Sequence, residues 1–569
     1  MSRDIERWLE RDPDPDTREE LRQLLRSGDE EELRQRFDGR LAFGTAGLRG
    51  IVGAGPNRMN RLVLQETATG LAHYLKSRQG QAASRGVVIG YDGRPDSRQF
   101  AGDTASALTA QGIPVFLTAR VAPTPLVAFG VKHLGAAAGV VVTASHNPPQ
   151  YNGFKVYWSN GAQIIPPHDS GIAAEIDNAA RAELALLSLD QAEAQGLLTW
   201  LDTPFFDAYR RMVEASPLLS NHSQPQAISI AYTAMHGVGA EMAETLLADA
   251  GFDRVYSVAA QRQPDGTFPT VPFPNPEEPG AMDLVIAEAA KHRATLACAN
   301  DPDADRLAVA ARTDDGHYKM LTGDQVGILL GHYLLSHTTP EQQLMGTSIV
   351  SSSLLEKLAR AAGAGYYQTL TGFKWLTNVA MQRQDPEHRF LFAYEEALGY
   401  TVGEVVWDKD GLSALLAFAQ MTAELAAQGM TLWDRLESIY RQHGLHLNAQ
   451  RSIALDPAAP AVGDKLRADP PKRIAGQAVT AVDDLKASLR VYADGRTEPL
   501  DLPGSDVLIY QLRGGARVVV RPSGTEPKLK CYYEVVEPIG REESLEQAQL
   551  RADARMADLI RQHQASLAE

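Results

Sequence analysis

One pattern of apolar and polar positions recurs three times along the chain. Each copy is an apolar strand, a polar or glycine-bearing loop, an amphipathic helix rich in Ala and Leu, a glycine and a second strand. The copies span residues 86–118, 228–258 and 346–370. A glycine suited to a left-handed C′ position ends each helix: Gly112, Gly251 and Gly363. Since strand–helix–strand units pair in parallel through right-handed crossovers, the pattern predicts three related α/β domains in series.

The two ends of the chain follow other patterns. Beyond a Pro- and Ala-rich stretch at 455–464, strand-like runs dominate and a final amphipathic helix follows at 544–564. This tail predicts a fourth domain of the α+β class. Residues 1–40 are helical in pattern and highly charged, and we interpret them as a surface extension.

The net charge excludes one class of partner and leaves another open. Among 569 residues there are 71 acidic against 55 basic side chains, a formal net charge of −16. Proteins that bind polyanions usually carry the opposite sign, so neither nucleic acid nor an anionic membrane is an expected partner. A local basic pocket can still bind a small phosphorylated ligand.

The location is predicted from cysteine usage and from the missing apolar segments. The chain has only two cysteines, Cys298 and Cys531, both in apolar strand-like runs, which is typical of buried free thiols in a reducing compartment. The N-terminus has no apolar signal region, and no run approaches the ~20 apolar residues that span a bilayer. We expect a soluble cytoplasmic protein.

A Ser-His-Asn triplet follows the apolar strand at 139–144. Ser145 stands beside His146, two prolines prevent regular structure from continuing, and Lys155 follows closely. A rigid hydroxyl beside a proton partner and a positive charge suits nucleophilic phosphoryl transfer. A strand-end turn with a capping serine is the alternative.

Three carboxylates alternate on the turn between two apolar runs. Asp301, Asp303 and Asp305 can converge on one hard cation, with Arg306 adjoining them. An EF-hand is excluded, because its sixth and twelfth positions would be Arg306 and Arg312 instead of Gly and Glu. The remaining alternative, a solvated acidic turn, is weakened by the apolar strands on both sides.

Two further loops carry polar groups suited to a sugar phosphate. In the first, Glu395 of the EEALGY sequence suits bidentate recognition of sugar hydroxyls, and Lys409 of DKDG can donate to a phosphate or a leaving oxygen; a helix start is the alternative there. The second loop, between two strands, clusters donors suited to holding a phosphate dianion without reacting with it. Its donors are Arg521, Ser523, Gly524, Thr525 and Lys528.

These loops, in this order and spacing, resemble the α-D-phosphohexomutase superfamily, which includes phosphoglucomutases and phosphomannomutases. The resemblance runs from GTAGLRG at 44–50 through TASHNP at 143–148 and DPDADR at 301–306 to RPSGTEP at 521–527. It implies four domains around a central cleft. Their predicted boundaries are 1–205 for the phosphoserine domain with its helical extension, 206–322 for metal binding, 323–445 for sugar recognition and 446–569 for the C-terminal phosphate-binding domain.

The resemblance also implies residue roles. Ser145 would be the phosphorylated serine, and its phosphate together with the three aspartates would ligate Mg²⁺. Arg49 and Arg306 would line this centre, Glu395 would contact the sugar hydroxyls, and the loop at Arg521 would hold the non-reacting phosphate. His146, Lys155 and Lys409 would be acid/base and charge-stabilising groups, with their individual roles left open.

The implied reaction converts a sugar 1-phosphate into the 6-phosphate through a bound bisphosphate, with a sugar 1,6-bisphosphate as primer. Many phosphoglucomutases carry E-x-S in the sugar loop, where this chain has Ala397. This form, with TGFKW at 371–375, is more similar to the branch of phosphopentomutases and bisphosphate-making relatives. Glucose phosphates remain the first expectation, and this departure makes ribose or deoxyribose phosphates a close second, with mannose phosphate third.

Other activities are compatible with parts of this pattern. A phosphatase with a phosphoserine intermediate would need water at Ser145, which a closed cleft opposes. A glucose 1,6-bisphosphate synthase would share every loop. A non-catalytic binder should have lost the serine or an aspartate. The expected partners are small sugar phosphates, and the protein is expected to be a monomer or homodimer.

Overall fold

The computed structural model describes residues 2–44, 47–221, 224–454, 462–522 and 528–568. These fall into two compact units. The first consists of Met1–Leu321, Phe373–Arg383 and Leu398–Gly429. The second consists of Thr322–Gly372, Gln384–Ala397 and Met430–Glu569.

A six-stranded mixed sheet organises the first half of the first unit. In spatial order its strands are Gly47–Ile51, Tyr151–Trp158, Ala138–Val142, Val87–Tyr91, Val115–Thr118 and Leu198–Leu201. The last four pair in parallel, and the first two add antiparallel at one edge. Continuous apolar runs such as VVIGY are buried on both faces, as parallel strands between helices require. The helices are Arg61–Gln79, Ser97–Ala110, Thr124–His133, His168–Ala179, Leu189–Ala194 and Thr203–Glu214, with a 3₁₀ turn at Gly80–Arg85.

The charged N-terminal segment packs into this domain instead of extending over its surface. It forms the helices Ser2–Arg11, Pro15–Ser27 and Glu30–Phe37. Four of their apolar side chains, Ile5, Trp8, Leu21 and Leu33, are buried in the same core as the sheet. Our interpretation as a surface extension is therefore wrong, because a handful of apolar positions at helical spacing is enough to dock a segment that is otherwise charged.

A five-stranded sheet lies in the second half of the first unit. Its order is Tyr318–Met320, Ala308–Arg312, Leu296–Ala299, Ile230–Thr233 and Val255–Ser257. The antiparallel pair of Leu296–Ala299 and Ala308–Arg312 presents the loop of the three aspartates. The unit also contains the helices Ala240–Asp249, Ala259–Arg262, Asp283–His292, Phe373–Arg383 and Gly411–Ala427, the strand Gly399–Val402, and 3₁₀ turns at Pro217–Leu219 and Pro225–Ala227.

The second unit combines a parallel sheet with a larger antiparallel one. In the parallel sheet, Gln343–Ser348 lies between Gly365–Thr369 and Arg389–Glu395. Around it are the helices Gly323–Ser336, Leu354–Ala362 and Leu432–His443, and the 3₁₀ turn Pro340–Gln342. The antiparallel sheet has the order Leu445–Ala454, Lys528–Glu537, Arg517–Pro522, Leu508–Leu512, Gln477–Asp484, Leu489–Tyr492 and Thr497–Pro499. Arg473–Ile474 pairs with Gln477–Asp484, and the helices are Val462–Ala468 and Leu545–Ala568.

The predicted strand–helix–strand units are confirmed. In each copy the two flanking strands pair in parallel. Gly112, Gly251 and Gly363 have φ angles of 75°, 89° and 80°, the left-handed conformation expected after a helix. The fold class of three α/β domains and a C-terminal α+β domain follows. The four boundaries and the central cleft stay predictions.

Two further observations concern the cysteines and the lengths of the helices. Cys298 and Cys531 are buried free thiols, as predicted. Among the described helices, none is long and apolar enough to cross a membrane.

Candidate functional site

The loop after strand Ala138–Val142 holds Ser145 in a constrained conformation. Ser145 is 3% exposed and has a φ of 52°, a left-handed value that is uncommon for a residue other than glycine. Its backbone N–H donates to Thr143 Oγ1 at 2.9 Å, and the Thr143 hydroxyl donates to Asp92 Oδ2 at 2.6 Å. The local strain and these two bonds together fix the direction of the serine side chain.

Arg94 supports the same loop from inside. Its buried guanidinium donates to the carbonyl oxygens of Ser145, Asn147, Pro148 and Tyr151 at 2.7–2.9 Å, and its Nε contacts Asp92 at 3.2 Å. Sequence reasoning missed Asp92 and Arg94. The available signal was their position directly after strand Val87–Tyr91, since carboxyl ends of neighbouring parallel strands meet at one edge of a sheet.

The three predicted metal-ligating carboxylates converge, and the serine reaches them. Asp301, Asp303 and Asp305 are 0% exposed, and one oxygen of each lies within 4.8 Å of the others. The Ser145 hydroxyl donates to Asp301 Oδ2 at 2.9 Å, although 156 residues separate the two. Thr124, which sequence reasoning also missed, donates its hydroxyl to Asp303 Oδ2 at 2.6 Å.

Two carboxylate oxygens of this cluster suit a cation. Asp303 Oδ1 and Asp305 Oδ1 are buried and accept no hydrogen bond from the part of the chain that the structure describes. Buried polar atoms are otherwise almost always satisfied. Burial, and then repulsion from Asp303 and Asp305, raises the pKa of Asp301 well above its ordinary value. A divalent cation would bind the two unbonded oxygens and would reduce the repulsion among the carboxylates. The residues present therefore fit a metal site.

Two lysines face the cluster from different elements. Lys155 Nζ lies 2.8 Å from Asp303 Oδ2 and 3.2 Å from Asp305 Oδ2, and Lys409 Nζ lies 3.0 Å from Asp305 Oδ2. Burial lowers the pKa of both ammonium groups, but attraction to the nearby carboxylates raises it by more, so the net shift is upward. Both lysines are therefore positively charged at neutral pH.

The remaining predicted catalytic residues lie around Ser145. His146 Nδ1 is 3.3 Å from Ser145 Oγ, and Arg49 donates to Asn147 Oδ1 at 3.2 Å. The Arg306 backbone N–H donates to Asp301 Oδ1 at 3.0 Å. Burial, followed by the charges of Arg306 and Arg49, lowers the pKa of His146 to about 2. The imidazole is thus neutral at pH 7 in this arrangement.

The predicted sugar-contacting residue belongs to the second unit. Glu395 ends strand Arg389–Glu395, and its Oε1 accepts from the Gly372 backbone N–H at 2.6 Å. Its neighbour Glu396 accepts from the hydroxyls of Ser351 at 2.7 Å and Ser348 at 3.3 Å. Burial, and then the charge of Glu395, raises the pKa of Glu396 to about 7.

The predicted phosphate-binding loop is described at its two ends. Arg521 donates from Nη1 to Thr371 Oγ1 at 2.5 Å, so Arg521 and Glu395 both contact the Thr371–Gly372 turn. Lys528 begins strand Lys528–Glu537 and is exposed. Ser523, Gly524 and Thr525 lie outside the described residues.

Family models match this chain in four consecutive segments. The α/β/α domains I, II and III of phosphoglucomutase/phosphomannomutase match residues 40–183, 207–316 and 322–443, and the C-terminal domain matches residues 477–548.

Curated relatives match over most of their length. A phosphopentomutase of Mus musculus is 37% identical, with 95% of this chain and 91% of the relative covered. A probable phosphomannomutase of Haemophilus influenzae is 40% identical, with 84% and 93% covered. A phosphoglucomutase of Staphylococcus haemolyticus is 36% identical, with 88% and 91% covered.

Proposed function

The chain belongs to the phosphoglucomutase/phosphomannomutase family and is a phosphosugar mutase, an isomerase that moves a phosphoryl group within one molecule, and we propose that it does so through Ser145. The observation that carries the proposal is the 2.9 Å hydrogen bond from Ser145 Oγ to Asp301, inside a buried carboxylate cluster. A simple capping serine would have no reason to donate its hydroxyl to Asp301, a carboxylate of a buried cluster 156 residues away.

The metal of this site is Mg²⁺ in our proposal. Asp301, Asp303 and Asp305, with the phosphate on Ser145, would hold it, because hard carboxylate oxygens suit this ion and two of them are unsatisfied among the described residues. When bound, Mg²⁺ neutralises charge on the transferred phosphoryl group.

The reaction consists of two phosphoryl transfers. In the first, the bond between Ser145 Oγ and phosphorus breaks while the free sugar hydroxyl bonds to phosphorus, and the proton of that hydroxyl ends on Ser145 Oγ. The bisphosphate then turns over. Its other phosphoryl group is transferred to Ser145 Oγ, and the serine proton ends on the sugar oxygen that this group leaves. Lys155 and Lys409 keep positive charge beside the carboxylate cluster that Ser145 contacts, and this charge would stabilise the transition state of the transfer. His146 contacts the serine oxygen and shares the acid/base work with the two lysines.

The sugar and its non-reacting phosphate would be bound by two further sets of residues. Glu395 would accept hydrogen bonds from sugar hydroxyls, and Arg521 and Lys528 would hold the phosphate with Ser523, Gly524 and Thr525. Since either phosphate of the intermediate must be held in turn, adaptable donors suit the task. Loss of the bisphosphate would leave Ser145 unphosphorylated, so a sugar 1,6-bisphosphate is the expected primer.

Glucose 1-phosphate and 6-phosphate are the proposed substrates, with mannose phosphate third. Ribose or deoxyribose 1-phosphate is the second candidate, favoured by two observations. Ala397 lacks the hydroxyl that E-x-S loops present to a hexose, a hydrogen bond worth about 1 kcal/mol net. The match to a phosphopentomutase also covers 95% of the chain.

The deciding assay is turnover by the purified protein with Mg²⁺ and a trace of glucose 1,6-bisphosphate. We would compare kcat/KM for glucose, mannose, ribose and deoxyribose 1-phosphates. Ser145→Ala should abolish turnover, while Ser336→Ala, a matched change in a helix of the second unit, should leave it intact. Preference for a pentose would move the assignment to phosphopentomutase. Full activity of Ser145→Ala would refute the phosphoserine mechanism.

The same assay separates the related activities. Free phosphate as the main product would indicate a phosphatase, and net accumulation of glucose 1,6-bisphosphate would indicate a synthase. We further propose that the protein acts in the cytoplasm. We expect it to be a monomer or homodimer, and light scattering of the purified protein would test this oligomeric state.

A further inference from the structure

Gly399 of the EEALGY sequence contacts the stem of Lys409. A Cβ added at Gly399 would lie 2.4 Å from Lys409 Cδ and 3.0 Å from Cγ. Such distances are far below van der Waals contact, so a side chain at this position would displace the lysine. Phe373 lies nearby, with its ring centre 5.7 Å from Lys409 Nζ. The lysine stem is thus confined by a glycine and an aromatic ring.

The backbone at Lys409 is fixed by the carboxylate before it. Asp408 is 1% exposed; its Oδ1 accepts from the Lys409 backbone N–H at 2.8 Å. Its Oδ2 accepts from the hydroxyl of fully buried Tyr157 at 2.5 Å. This carboxylate therefore joins the lysine backbone to a strand that is distant in sequence.

A second buried carboxylate follows Lys409. Asp410 accepts from the Leu412 and Ser413 backbone N–H groups at 3.0 and 3.2 Å, which caps the helix Gly411–Ala427. Its other oxygen accepts from the Tyr209 hydroxyl at 2.7 Å. Lys409 is consequently held between two carboxylates, each bonded to a buried tyrosine.

Tyr157 and Lys155 belong to the same strand, Tyr151–Trp158. Residues two apart on a strand point to one face, so this strand presents Tyr157 to Asp408 and Lys155 to Asp305. Lys409 Nζ also contacts Asp305, at 3.0 Å. These contacts form a closed ring that runs from Lys155 through Asp305, Lys409 and Asp408 to Tyr157, and back along the strand.

We propose that Tyr157 and Gly399 are positioning residues for the Lys409 ammonium. Tyr157 acts through Asp408 on the lysine backbone, and Gly399 leaves space for the lysine stem. A lysine has four rotatable side-chain bonds and loses conformational entropy when it is fixed in one geometry. Because the ring fixes Lys409 in the folded protein, this entropy is lost when the protein folds and not when the substrate binds. The ammonium is therefore already in place when the substrate arrives. The inference rests on the charge-stabilising role proposed for Lys409.

The test compares Tyr157→Phe with Tyr74→Phe. Tyr74 is an equally buried tyrosine of the same unit, with its hydroxyl 3.0 Å from His168 and away from the carboxylate cluster. Both changes delete one hydroxyl, and Tyr157→Phe should lower the unfolding temperature more, because its hydroxyl donates to a buried carboxylate. Tyr157→Phe should lower kcat about tenfold with KM within twofold, since a hydrogen bond to a charged group is lost, whereas Tyr74→Phe should keep the wild-type kcat.

A double variant determines whether Tyr157 acts through the lysine. In a Lys409→Arg background, Tyr157→Phe should change kcat less than twofold, because the group it positions is already altered. Gly399→Ala should lower kcat at least as much as Tyr157→Phe. The proposal is overturned if Tyr157→Phe keeps full kcat, or if its effect is as large in the Lys409→Arg protein. An inactive wild-type protein would instead refute the proposed function. If Lys409→Arg has no measurable turnover, the comparison with Tyr74→Phe decides.

Discussion

Replacing Lys155 by Met tests whether the buried lysine or a metal neutralises the carboxylate cluster. Lys155 is 9% exposed and contacts both Asp303 and Asp305. Met keeps the length and apolar character of the lysine stem but removes the charge. Two carboxylates would then remain buried with one positive partner fewer.

The expected cost in stability is large. Removing one partner of a buried ion pair costs about 3–5 kcal/mol, because the other charge stays buried without compensation. For a domain of 150–250 residues each kcal/mol lowers Tm by roughly 2–4 °C, so a decrease on the order of 10 °C is expected without Mg²⁺. Lys291→Met is the matched control, since that lysine is 69% exposed and its ion pair contributes little.

Two changes of solution conditions should offset the loss of Tm in Lys155→Met. Mg²⁺ should raise the Tm of Lys155→Met more than that of the wild type, because the cation replaces the lost charge and binding to the native state stabilises it. Lower pH should rescue it as well. In the wild type, Lys155 offsets part of the burial of Asp303 and Asp305 and helps to lower the pKa of both carboxyls, so its removal should raise both pKa values. The native variant should then bind protons more readily, and its Tm deficit relative to the wild type should narrow as pH falls from 7 to 5.

The assay is thermal unfolding of the wild type, Lys155→Met and Lys291→Met, with Mg²⁺ or with a chelator, at pH 5 and pH 7. A Tm for Lys155→Met equal to that of Lys291→Met under chelator would refute the electrostatic reasoning. An equal Mg²⁺ shift in the wild type and Lys155→Met would show that the ion does not bind at these carboxylates.

Three further changes have definite expected results. Thr124→Val removes the hydroxyl that donates to Asp303, worth about 1.5–3 kcal/mol to a charged acceptor, and should raise the Mg²⁺ concentration needed for half activation; an unchanged Mg²⁺ titration would contradict this. Glu396→Gln should flatten the fall of Tm between pH 5.5 and 7.5, because a pKa raised by burial and by Glu395 to about 7 makes the native state lose stability as pH rises through that window; equal slopes in both proteins would argue against it. Trp8→Ala should cost about 3–5 kcal/mol in denaturant unfolding, since Trp8 is 6% exposed in the core, and a wild-type midpoint would show that the N-terminal helices do not support the domain.

Sequence patterns predicted the parts of the site that lie within one element. The three aspartates were recognisable because they alternate on a short loop between two apolar strands, and Ser145 because an apolar strand leads directly to it. Contacts between distant segments were not accessible. Thr124 lies 179 residues from Asp303, and nothing in its own surroundings distinguishes it from an ordinary helix-start threonine.

The missed supporting residues share a physical reason. Asp92, Arg94, Tyr157 and Asp408 are polar groups that each have a partner in another element, so their value depends on the tertiary fold. Sequence patterns report periodicity and local turn chemistry, which are properties of one segment. The N-terminal helices were misjudged for a related reason, because their charge dominates the pattern although their few apolar positions decide the packing.

The carboxylate oxygens of Asp303 and Asp305 fall into two groups. Lys155 and Lys409 contact Oδ2 of Asp303 and Asp305, whereas Oδ1 of the same residues accepts no hydrogen bond from any described residue. Buried ion pairs rarely add stability over apolar packing, so this arrangement is poorly explained as a device for folding. It is explained if the lysines fix one edge of the carboxylates and leave the other for a cation. Lys155→Met and Thr124→Val both test this arrangement: the first removes a positive charge from the edge that the lysines occupy, and the second removes a hydrogen bond that orients Asp303.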